Sequence, residues 1–252
     1  NPELYEENDI YKYATISECL FYFKEKKIVQ VDCETEYNNR NPDHLPNPYE
    51  NKMFCYQLGD KQNQYVIDNS IYSIDIFKEL FEDISVVKIF TNGFFDIRYI
   101  LHFNIDIVNV YDCFLAERAL TRGIKFEKGY LGLSGMCKRY LEVSLSKEIR
   151  GQIHYRGLDA SVIQYSARDV MYMEDIREFQ LKKAKEDSLV SYLNLENLFL
   201  PVLAKVSYKG FKIDINKWLE IAKQNKELLI QYKQKLNNWV IDNNYNDFID
   251  HQ

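Results

Sequence analysis

The sequence predicts an α/β fold, with a mixed central sheet flanked by helices and followed by a helical extension. Three strand patterns come first in a row, and later strand patterns alternate with amphipathic helices. The final part of the chain shows helical periodicity only. A run of strands before an alternation of strands and helices favours a sheet that contains both antiparallel and parallel pairs.

Capping and turn residues mark the first elements. Thr15 and Glu18 have the spacing of a capping box, so a helix is predicted to begin near Thr15 and to end at Lys27. The apolar segment Ile28–Cys33 predicts a buried strand. Residues 38–52 are rich in Asn and Pro and predict a long loop.

Turn signals and apolar periodicity predict the remaining elements of the α/β part. Two strand patterns flank the turn at residues 59–61 and predict a β-hairpin. The predicted strands are Met53–Leu58, Gln64–Ile67, Val86–Phe90 and Ile107–Val110. The predicted helices are Ile74–Phe81, one that follows the turn at residues 91–93, Asp112–Leu120, Leu131–Leu141 and Asp159–Lys185.

A charged run at residues 182–187 is interpreted as a hinge between two domains, residues 1–187 and 188–252. Beyond it, the periodicity predicts two long helices, Leu189–Tyr208 and Asp214–Val240. Two helices cannot enclose a core by themselves. We therefore expect residues 188–252 to be the start of a further domain.

The composition is typical of a soluble globular protein, with 46% hydrophobic and 28% charged residues. No apolar run is long enough to span a bilayer, and the N-terminus lacks the pattern of a signal peptide. We therefore expect a soluble intracellular protein that is not secreted and has no membrane partner. The cysteines lack CxxC spacing, so we expect reduced, mostly buried thiols. They are Cys19, Cys33, Cys55, Cys113 and Cys137.

The net charge of −6 argues against a nucleic-acid partner, but the charge is unevenly distributed. The segment Arg118–Arg156 contains nine basic and three acidic residues. Two interpretations stay open for this segment. It is either a solvated helical face or a surface that contacts phosphates.

Four acidic residues and one tyrosine stand in three short motifs. Asp32 and Glu34 alternate with a core residue on a strand, so their side chains point to the same face. Asp96 lies one turn into its helix, and Tyr165 and Asp169 share one helical face. Each motif alone is more typical of an ordinary core or surface position. Together they predict a cage of carboxylates, which is stable only around divalent cations.

These motifs resemble those of the DEDDy 3′-5′ exonucleases, the proofreading fold of family A DNA polymerases and of ribonuclease D. The D-x-E, N-x-x-x-D and Y-x-x-x-D motifs correspond to residues 32–34, 92–96 and 165–169, and the tyrosine sets the subclass. Residues 111–116 and 132–141 match neighbouring family segments. The resemblance implies a ribonuclease H-like fold and a metal-dependent phosphodiester hydrolase.

The resemblance also implies two divalent metal ions, Mg²⁺ or Mn²⁺. It implies that Asp32 bridges both ions, that Glu34 and Asp169 complete the first, and that Asp96 holds the second. Tyr165 is implied to orient the attacking water, since an unperturbed tyrosine is a poor base at neutral pH. The implied contacts to the terminal nucleotide are Asn92 and the backbone of Thr35. Candidate stacking groups are Tyr37, Phe94 and Phe95.

Residues 194–214 are similar to the entry segment of family A polymerases, although Ser207 and Tyr208 depart from its usual Met-Glu pair. This similarity implies that the partner of the exonuclease domain is a polymerase domain of the same longer chain. The sequence also resembles enzymes of this kind from phages and from the apicoplast. The implied compartment is the cytoplasm or an organelle such as the apicoplast.

The function implied is removal of nucleoside 5′-monophosphates from the 3′ end of single-stranded or frayed DNA, as the proofreading part of a DNA polymerase. Two alternatives stay open. One is a ribonuclease D-like enzyme that trims RNA, which would continue with a different helical domain. The other is a non-catalytic module that binds DNA, which normally lacks one of the carboxylates, whereas all four are present here.

Overall fold

Five strands form one mixed sheet in the part of the chain that the computed structural model describes, which is residues 11–12, 14–36, 46–124, 127–145, 149 and 152–243. The strands are β1 (Ile28–Thr35), β2 (Met53–Gly59), β3 (Gln64–Asp68), β4 (Val87–Phe90) and β5 (Val110–Asp112). Their order across the sheet is β3-β2-β1-β4-β5. β2 pairs antiparallel with β1 and β3, whereas β4 pairs parallel with β1 and β5. The predicted mixed sheet and hairpin are confirmed.

Helices cover both faces of the sheet. Those of the first part of the chain are α1 (Ile16–Phe23), α2 (Lys78–Glu82), α3 (Phe94–His102), α4 (Cys113–Leu120) and α5 (Leu133–Leu141). The later ones are α6 (Ile153–Arg156), α7 (Ala160–Asp169), α8 (Met173–Glu186) and α9 (Val190–Lys209). One more helix, α10 (Ile215–Asp242), follows them in the chain. Neighbouring strand residues supply two separate cores, because successive side chains point to opposite faces. Phe90 packs in the core with α1 and α3, and Ile89 packs in the core with α4 and α8.

The first helix begins at its predicted capping box and ends earlier than predicted. The backbone N–H of Glu18 donates to the Thr15 hydroxyl at 3.2 Å, and the Thr15 N–H donates to the Glu18 carboxylate at 2.7 Å. α1 ends at Phe23 rather than at Lys27. The Lys27 carbonyl accepts a hydrogen bond from Val87 at 2.8 Å. The Lys27 carbonyl is therefore bonded to β4, directly before β1 begins, and is not available to a helix.

The helix predicted at Asp159–Lys185 is two helices, α7 and α8, with a break after Asp169. At the break, the chain presses the backbone carbonyl of Val170 against Gly59 of β2. A Cβ added to Gly59 would lie 2.4 Å from this oxygen. Because Gly59 has no side chain, the end of α7 approaches the sheet more closely than any larger residue at position 59 would allow.

Replacing Gly59 by alanine is expected to destabilise the protein by about 1–3 kcal/mol, because the new methyl group must push the Val170 carbonyl away. Urea unfolding of the variant and of Gly132→Ala measures the effect. Gly132 is a suitable control because its nearest neighbour would lie at 3.5 Å, an ordinary contact distance. Equal unfolding free energies in the two variants would contradict this account of the break.

The strand predicted at Ile107–Val110 lies later in the chain, at Val110–Asp112. Ile107 is buried in the first core without belonging to a strand. Its apolar character therefore reflects packing rather than strand pairing. The shift places Asp112 at the end of β5, opposite Phe90 of β4.

The chain divides into two compact units, Asn1–Lys209 and Gly210–Gln252. The first unit thus extends beyond the boundary predicted at residue 187, because α9 buries Leu200 and Ala204 in the first core. In the second unit, Asp214 caps the N-terminus of α10 by accepting a hydrogen bond from the Lys217 N–H at 3.1 Å. The assignment of residues 188–252 to the start of another domain stays a prediction.

Two further expectations concern the thiols and the bilayer. All five cysteines are free and buried, as predicted. Among the described residues, no helix is both long and apolar enough to cross a membrane.

Candidate active site

The predicted site residues gather where β1 and β4 end. The parallel pairing of these strands covers Ile28–Gln30 and Val87–Ile89 only. Beyond it, β1 continues alone on this side and carries the first motif, while the turn after β4 leads into the second. The carboxyl ends of adjacent parallel strands form a common edge, where α/β proteins usually place their ligands.

Three carboxylates form a compact group at this edge. Asp32, Glu34 and Asp169 each offer one carboxylate oxygen, and these oxygens all lie within 4.8 Å of one another. Two unit charges 4 Å apart repel by about 4 kcal/mol at an effective dielectric constant of about 20. All three groups are half-buried, which limits their solvation. Their oxygen donors fit a hard divalent cation such as Mg²⁺ or Mn²⁺.

Helix α7 brings the third motif to the group. It begins at Asp159, whose side chain accepts a hydrogen bond from the Val162 N–H at 2.9 Å. Val162 and Ser166 are fully buried and fix the helix against the sheet. Tyr165 and Asp169 are separated by one helical turn and lie on the same face. The tyrosine therefore lies on the helix face that carries Asp169, and its role at the site stays a prediction.

Asp96 lies beside the three-carboxylate group rather than within it. Its Oδ1 accepts hydrogen bonds from the Cys33 backbone N–H at 3.1 Å and from the Cys33 thiol at 3.0 Å. Cys33 separates Asp32 from Glu34, so Asp96 reaches the strand between the two acids. Burial raises the pKa of Asp96 to about 7 and keeps the pKa of the Cys33 thiol well above its ordinary value. The thiol therefore stays protonated and can act as a donor to Asp96.

The two predicted nucleotide contacts lie next to these acids. Asn92 is exposed at the turn between β4 and α3, in the left-handed backbone region with φ of 65°. Thr35 is the last residue of β1, and the register with β2 shifts between Glu34 and Thr35. Irregular pairing of this kind re-aims side chains and is frequent beside active sites. Thr35 directly follows Glu34, and Asn92 stands four residues before Asp96. Contact of either residue with a nucleotide stays a prediction.

The predicted stacking groups are only partly available. Phe94 and Phe95 are half-buried and pack against the first core. The ring of Phe95 lies 5.1 Å from that of Tyr99, and the Arg98 guanidinium lies 5.5 Å from the Phe94 ring. Tyr37 and most of the predicted loop, residues 38–45, lie outside the described residues.

Part of the basic segment has a structural role. Arg139 donates to the buried carboxylate of Glu117 at 2.8 Å, and Arg156 pairs with Asp159 at 2.6 Å. Lys125, Lys147 and Arg150 lie outside the described residues. Apart from Arg156, the exposed basic residues of the described part of the segment are Arg118, Arg122, Lys128 and Lys138, of which Arg118 pairs with Glu196 at 4.0 Å. The phosphate-contacting interpretation therefore applies to fewer residues than the segment contains.

Two residues that support the site were not predicted as site residues from the sequence. Asp112 caps α4 and also accepts a hydrogen bond from the backbone of the turn at residues 92–93. Asn197 of α9 accepts a hydrogen bond from the Asp112 backbone. An aspartate directly before an apolar helix is a recognisable capping signal. No local pattern marks Asn197, because its partner lies 85 residues away.

Comparison with known proteins supports the predicted exonuclease family. The sequence profile of the 3′-5′ exonuclease family matches residues 10–184. No curated protein sequence shows significant similarity to the chain.

Solved structures share the fold. Brucella melitensis NrnC superposes with a TM-score of 0.65 at 23% identity, covering 78% of this chain and 92% of NrnC. Structures of NrnC with bound Mg²⁺ and bound to pGG, 23% and 24% identical, each have a TM-score of 0.63 and cover 76% of this chain and 90% of theirs. Escherichia coli RNase D, described as an exoribonuclease involved in structured RNA processing, has a TM-score of 0.62 at 17% identity, covering 75% and 48%.

At these identities the likeness establishes the fold, which is the ribonuclease H-like exonuclease fold. The family match covers more than half of the chain and includes all three motifs. The chain therefore belongs to the 3′-5′ exonuclease family.

Proposed function

We propose that this chain is a metal-dependent enzyme that hydrolyses the last phosphodiester bond at the 3′ end of a single strand and releases a nucleoside 5′-monophosphate. The observation that carries the proposal is the group of three carboxylates, whose oxygens lie within 4.8 Å of one another. A non-catalytic binding module would have no need to concentrate these acids. Their mutual repulsion is a cost that metal binding offsets.

Four side chains would hold two divalent ions. Asp32, Glu34 and Asp169 would hold one, and Asp96 together with Asp32 would hold the other. Ions bound there would neutralise charge on the scissile phosphate and acidify the attacking water. The donor set fits this role because it consists of oxygen ligands only, which Mg²⁺ and Mn²⁺ prefer.

The remaining residues position the reactants. The Tyr165 hydroxyl would orient the water for attack on phosphorus, opposite the 3′ oxygen that leaves. The bond between phosphorus and this 3′ oxygen breaks, and the shortened strand keeps a 3′ hydroxyl. Asn92 and the Thr35 backbone would hold the terminal nucleotide. Specificity for a single strand then requires few base contacts, since stacking and phosphate contacts suffice.

The comparisons favour RNA as the substrate. RNase D is described as an exoribonuclease involved in structured RNA processing, and one structure of NrnC is bound to pGG. These proteins share the fold of this chain across about three quarters of its length. Trimming of RNA 3′ ends is therefore the first candidate function.

Proofreading of DNA is the second candidate, and the tail of the chain favours it. Residues 194–214 are similar to the entry of family A polymerases, and α9 carries most of this segment. In this interpretation, a polymerase domain of the same longer chain would deliver frayed 3′ ends to the site.

Digestion of matched oligonucleotides tests both candidates. We expect stepwise shortening of 5′-labelled single strands from the 3′ end, in the presence of Mg²⁺ or Mn²⁺ and not of EDTA. A preference of about tenfold or more for RNA, or about 1.4 kcal/mol, supports trimming, and the same preference for DNA supports proofreading. Strands with a blocked 3′ hydroxyl serve as the control. Binding of both strands without cleavage would show a non-catalytic module instead.

A further inference from the structure

A further carboxylate, which is buried, lies close to the site without being part of the acid motifs. Asp112 is 0% exposed and ends β5. Its Oδ2 accepts a hydrogen bond from the Gly93 N–H at 2.6 Å, and its Oδ1 accepts one from the Leu115 N–H at 2.9 Å. Each oxygen therefore satisfies a backbone donor of a different element. One donor belongs to the turn before α3, and the other belongs to the first turn of α4.

The turn that Asp112 holds determines where α3 begins. Asn92 occupies the left-handed region, and a Cβ on Gly93 would lie 2.6 Å from the side chain of Phe90. The Ile97 N–H donates to the Gly93 carbonyl at 2.9 Å, so α3 is built directly on this turn. Asp96 lies in the first turn of α3. Any shift of the turn would therefore move Asp96.

Asp112 is itself held by α9. The Asp112 N–H donates to Asn197 Oδ1 at 2.7 Å, and Asn197 Nδ2 donates to the Leu193 carbonyl at 2.9 Å. Asn197 is 6% exposed, and both ends of its amide are used. A continuous chain of hydrogen bonds thus links α9 to Asp112 and then to the turn at residues 92–93.

We propose that Asp112 is a positioning residue of the nuclease site, which holds the turn at residues 92–93 so that Asn92 and Asp96 face the substrate and the metal ions, and that Asn197 secures it from α9. The inference rests on the proposed function. It makes α9 part of the support of the active site, although α9 lies beyond the exonuclease boundary that the sequence predicts.

A capping role alone does not account for Asp112. A serine, threonine or asparagine would cap α4 about equally well. Only an acid offers two acceptor oxygens to two backbone donors, because an asparagine would turn an NH₂ group toward one of them. Burying this carboxylate is costly, and burial raises the pKa of Asp112. The second hydrogen bond, to the turn that leads to Asp96, is the one that needs an acid.

The Asp112→Asn variant tests the proposal, with Asp60→Asn as its matched control. Asp60 is also buried, and its Oδ1 accepts hydrogen bonds from the backbone N–H groups of Gln62 and Asn63 at 2.8 and 2.9 Å. It follows Gly59, which pairs with Gln30, and therefore lies at the other end of β1 from Glu34. Loss of either carboxylate should lower the melting temperature.

Only Asp112→Asn should change the site. At a temperature well below both melting transitions, we expect kcat on a single strand to fall about 100-fold, with KM within about threefold of the wild type. The Mg²⁺ concentration for half-maximal activity should rise about tenfold. Asp60→Asn should keep kcat and this concentration within about twofold, because it perturbs a turn remote from the carboxylates.

A measurement without nucleic acid supplies a second readout. The Mn²⁺ concentration needed for half of the metal-induced rise in melting temperature should be about tenfold higher in Asp112→Asn than in Asp60→Asn. Should Asp112→Asn not fold, Asn197→Ala replaces it, with the same direction of shift. Its control is Gln64→Ala, which removes a part-buried amide that donates to the Asp60 carbonyl at 2.8 Å, remote from Asp112 and from the carboxylate group.

Identical Mn²⁺ and Mg²⁺ dependence in each variant and its control would overturn the proposal and reduce Asp112 to a helix cap. Failure of the proposed function looks different. In that case the wild type itself shows neither metal-dependent digestion nor a metal-induced rise in melting temperature.

Discussion

Replacing Asp32 and Glu34 together by alanine is expected to lower the exonuclease rate by at least about 10⁴-fold, which corresponds to a barrier increase of roughly 5.5 kcal/mol. Both side chains belong to the carboxylate group, so the variant loses two of the three oxygens that lie within 4.8 Å of one another. Bound metal ions contribute several kcal/mol of transition-state stabilisation each. Single-turnover digestion of a labelled strand in Mg²⁺ measures the rate.

The fold should survive this change. Both acids are half-buried, and their removal relieves repulsion rather than leaving a cavity in a core. A variant with Glu79→Ala and Glu186→Ala removes two exposed carboxylates from α2 and α8 and controls for the change in net charge. We expect it to digest at the wild-type rate. Metal-dependent digestion by the Asp32/Glu34 variant at near the wild-type rate would contradict the assignment of the site.

The parts of the structure that the sequence predicts well depend on local patterns. The capping box of Thr15 and Glu18 acts within four residues and forms as predicted. The hairpin around residues 59–61 depends on a turn between two strand patterns, and it also forms. The first and third motifs of the candidate site come together because each is fixed to a regular element, at a spacing that sets the direction of its side chains.

The parts that the sequence does not predict depend on contacts between distant residues. At the break between α7 and α8, Val170 lies against Gly59, more than a hundred positions earlier in the chain. The helix pattern alone contains no signal for this contact. Asn197 is similar, since an isolated asparagine on a helix is usually solvated, and only the fold brings it to the Asp112 backbone. Asp96 was predicted as a metal ligand, but its hydrogen bonds with Cys33 were not predicted. They form beyond Gln30, where the pairing of β1 with β4 has ended.

Asp96 also predicts how the stability of the metal-free protein depends on pH. Burial raises the pKa of Asp96 to about 7, well above the value of about 3.9 expected in the unfolded chain. The folded protein therefore binds this proton more tightly than the unfolded chain does. Stability from this group is complete below pH 4, declines as the pH rises from about 4 to about 7, and is lost above that range. At about 1.4 kcal/mol for each pKa unit, the loss amounts to a few kcal/mol.

The Asp96→Asn variant should lack this decline. In EDTA, we expect the melting temperature of the wild type to fall relative to that of Asp96→Asn between pH 5 and pH 8. Millimolar Mn²⁺ should reverse the fall in the wild type, because the cation compensates the ionised carboxylate, and the reversal should grow with pH as fewer protons need to be displaced. The variant keeps an oxygen that can accept from Cys33, so its fold should be retained.

Asp60→Asn provides a control of opposite sign. Burial acts to raise the pKa of Asp60, but hydrogen bonds from Lys26 and from the turn at residues 62–63 outweigh it, so the pKa is lowered. Stability from Asp60 is therefore present at neutral pH and lost in acid, and Asp60→Asn should be less stable than the wild type at pH 7. If the wild type and Asp96→Asn instead have parallel melting profiles from pH 5 to pH 8 without metal, Asp96 ionises normally. Only the location of Asp96 next to Cys33 would then support its role as a metal ligand.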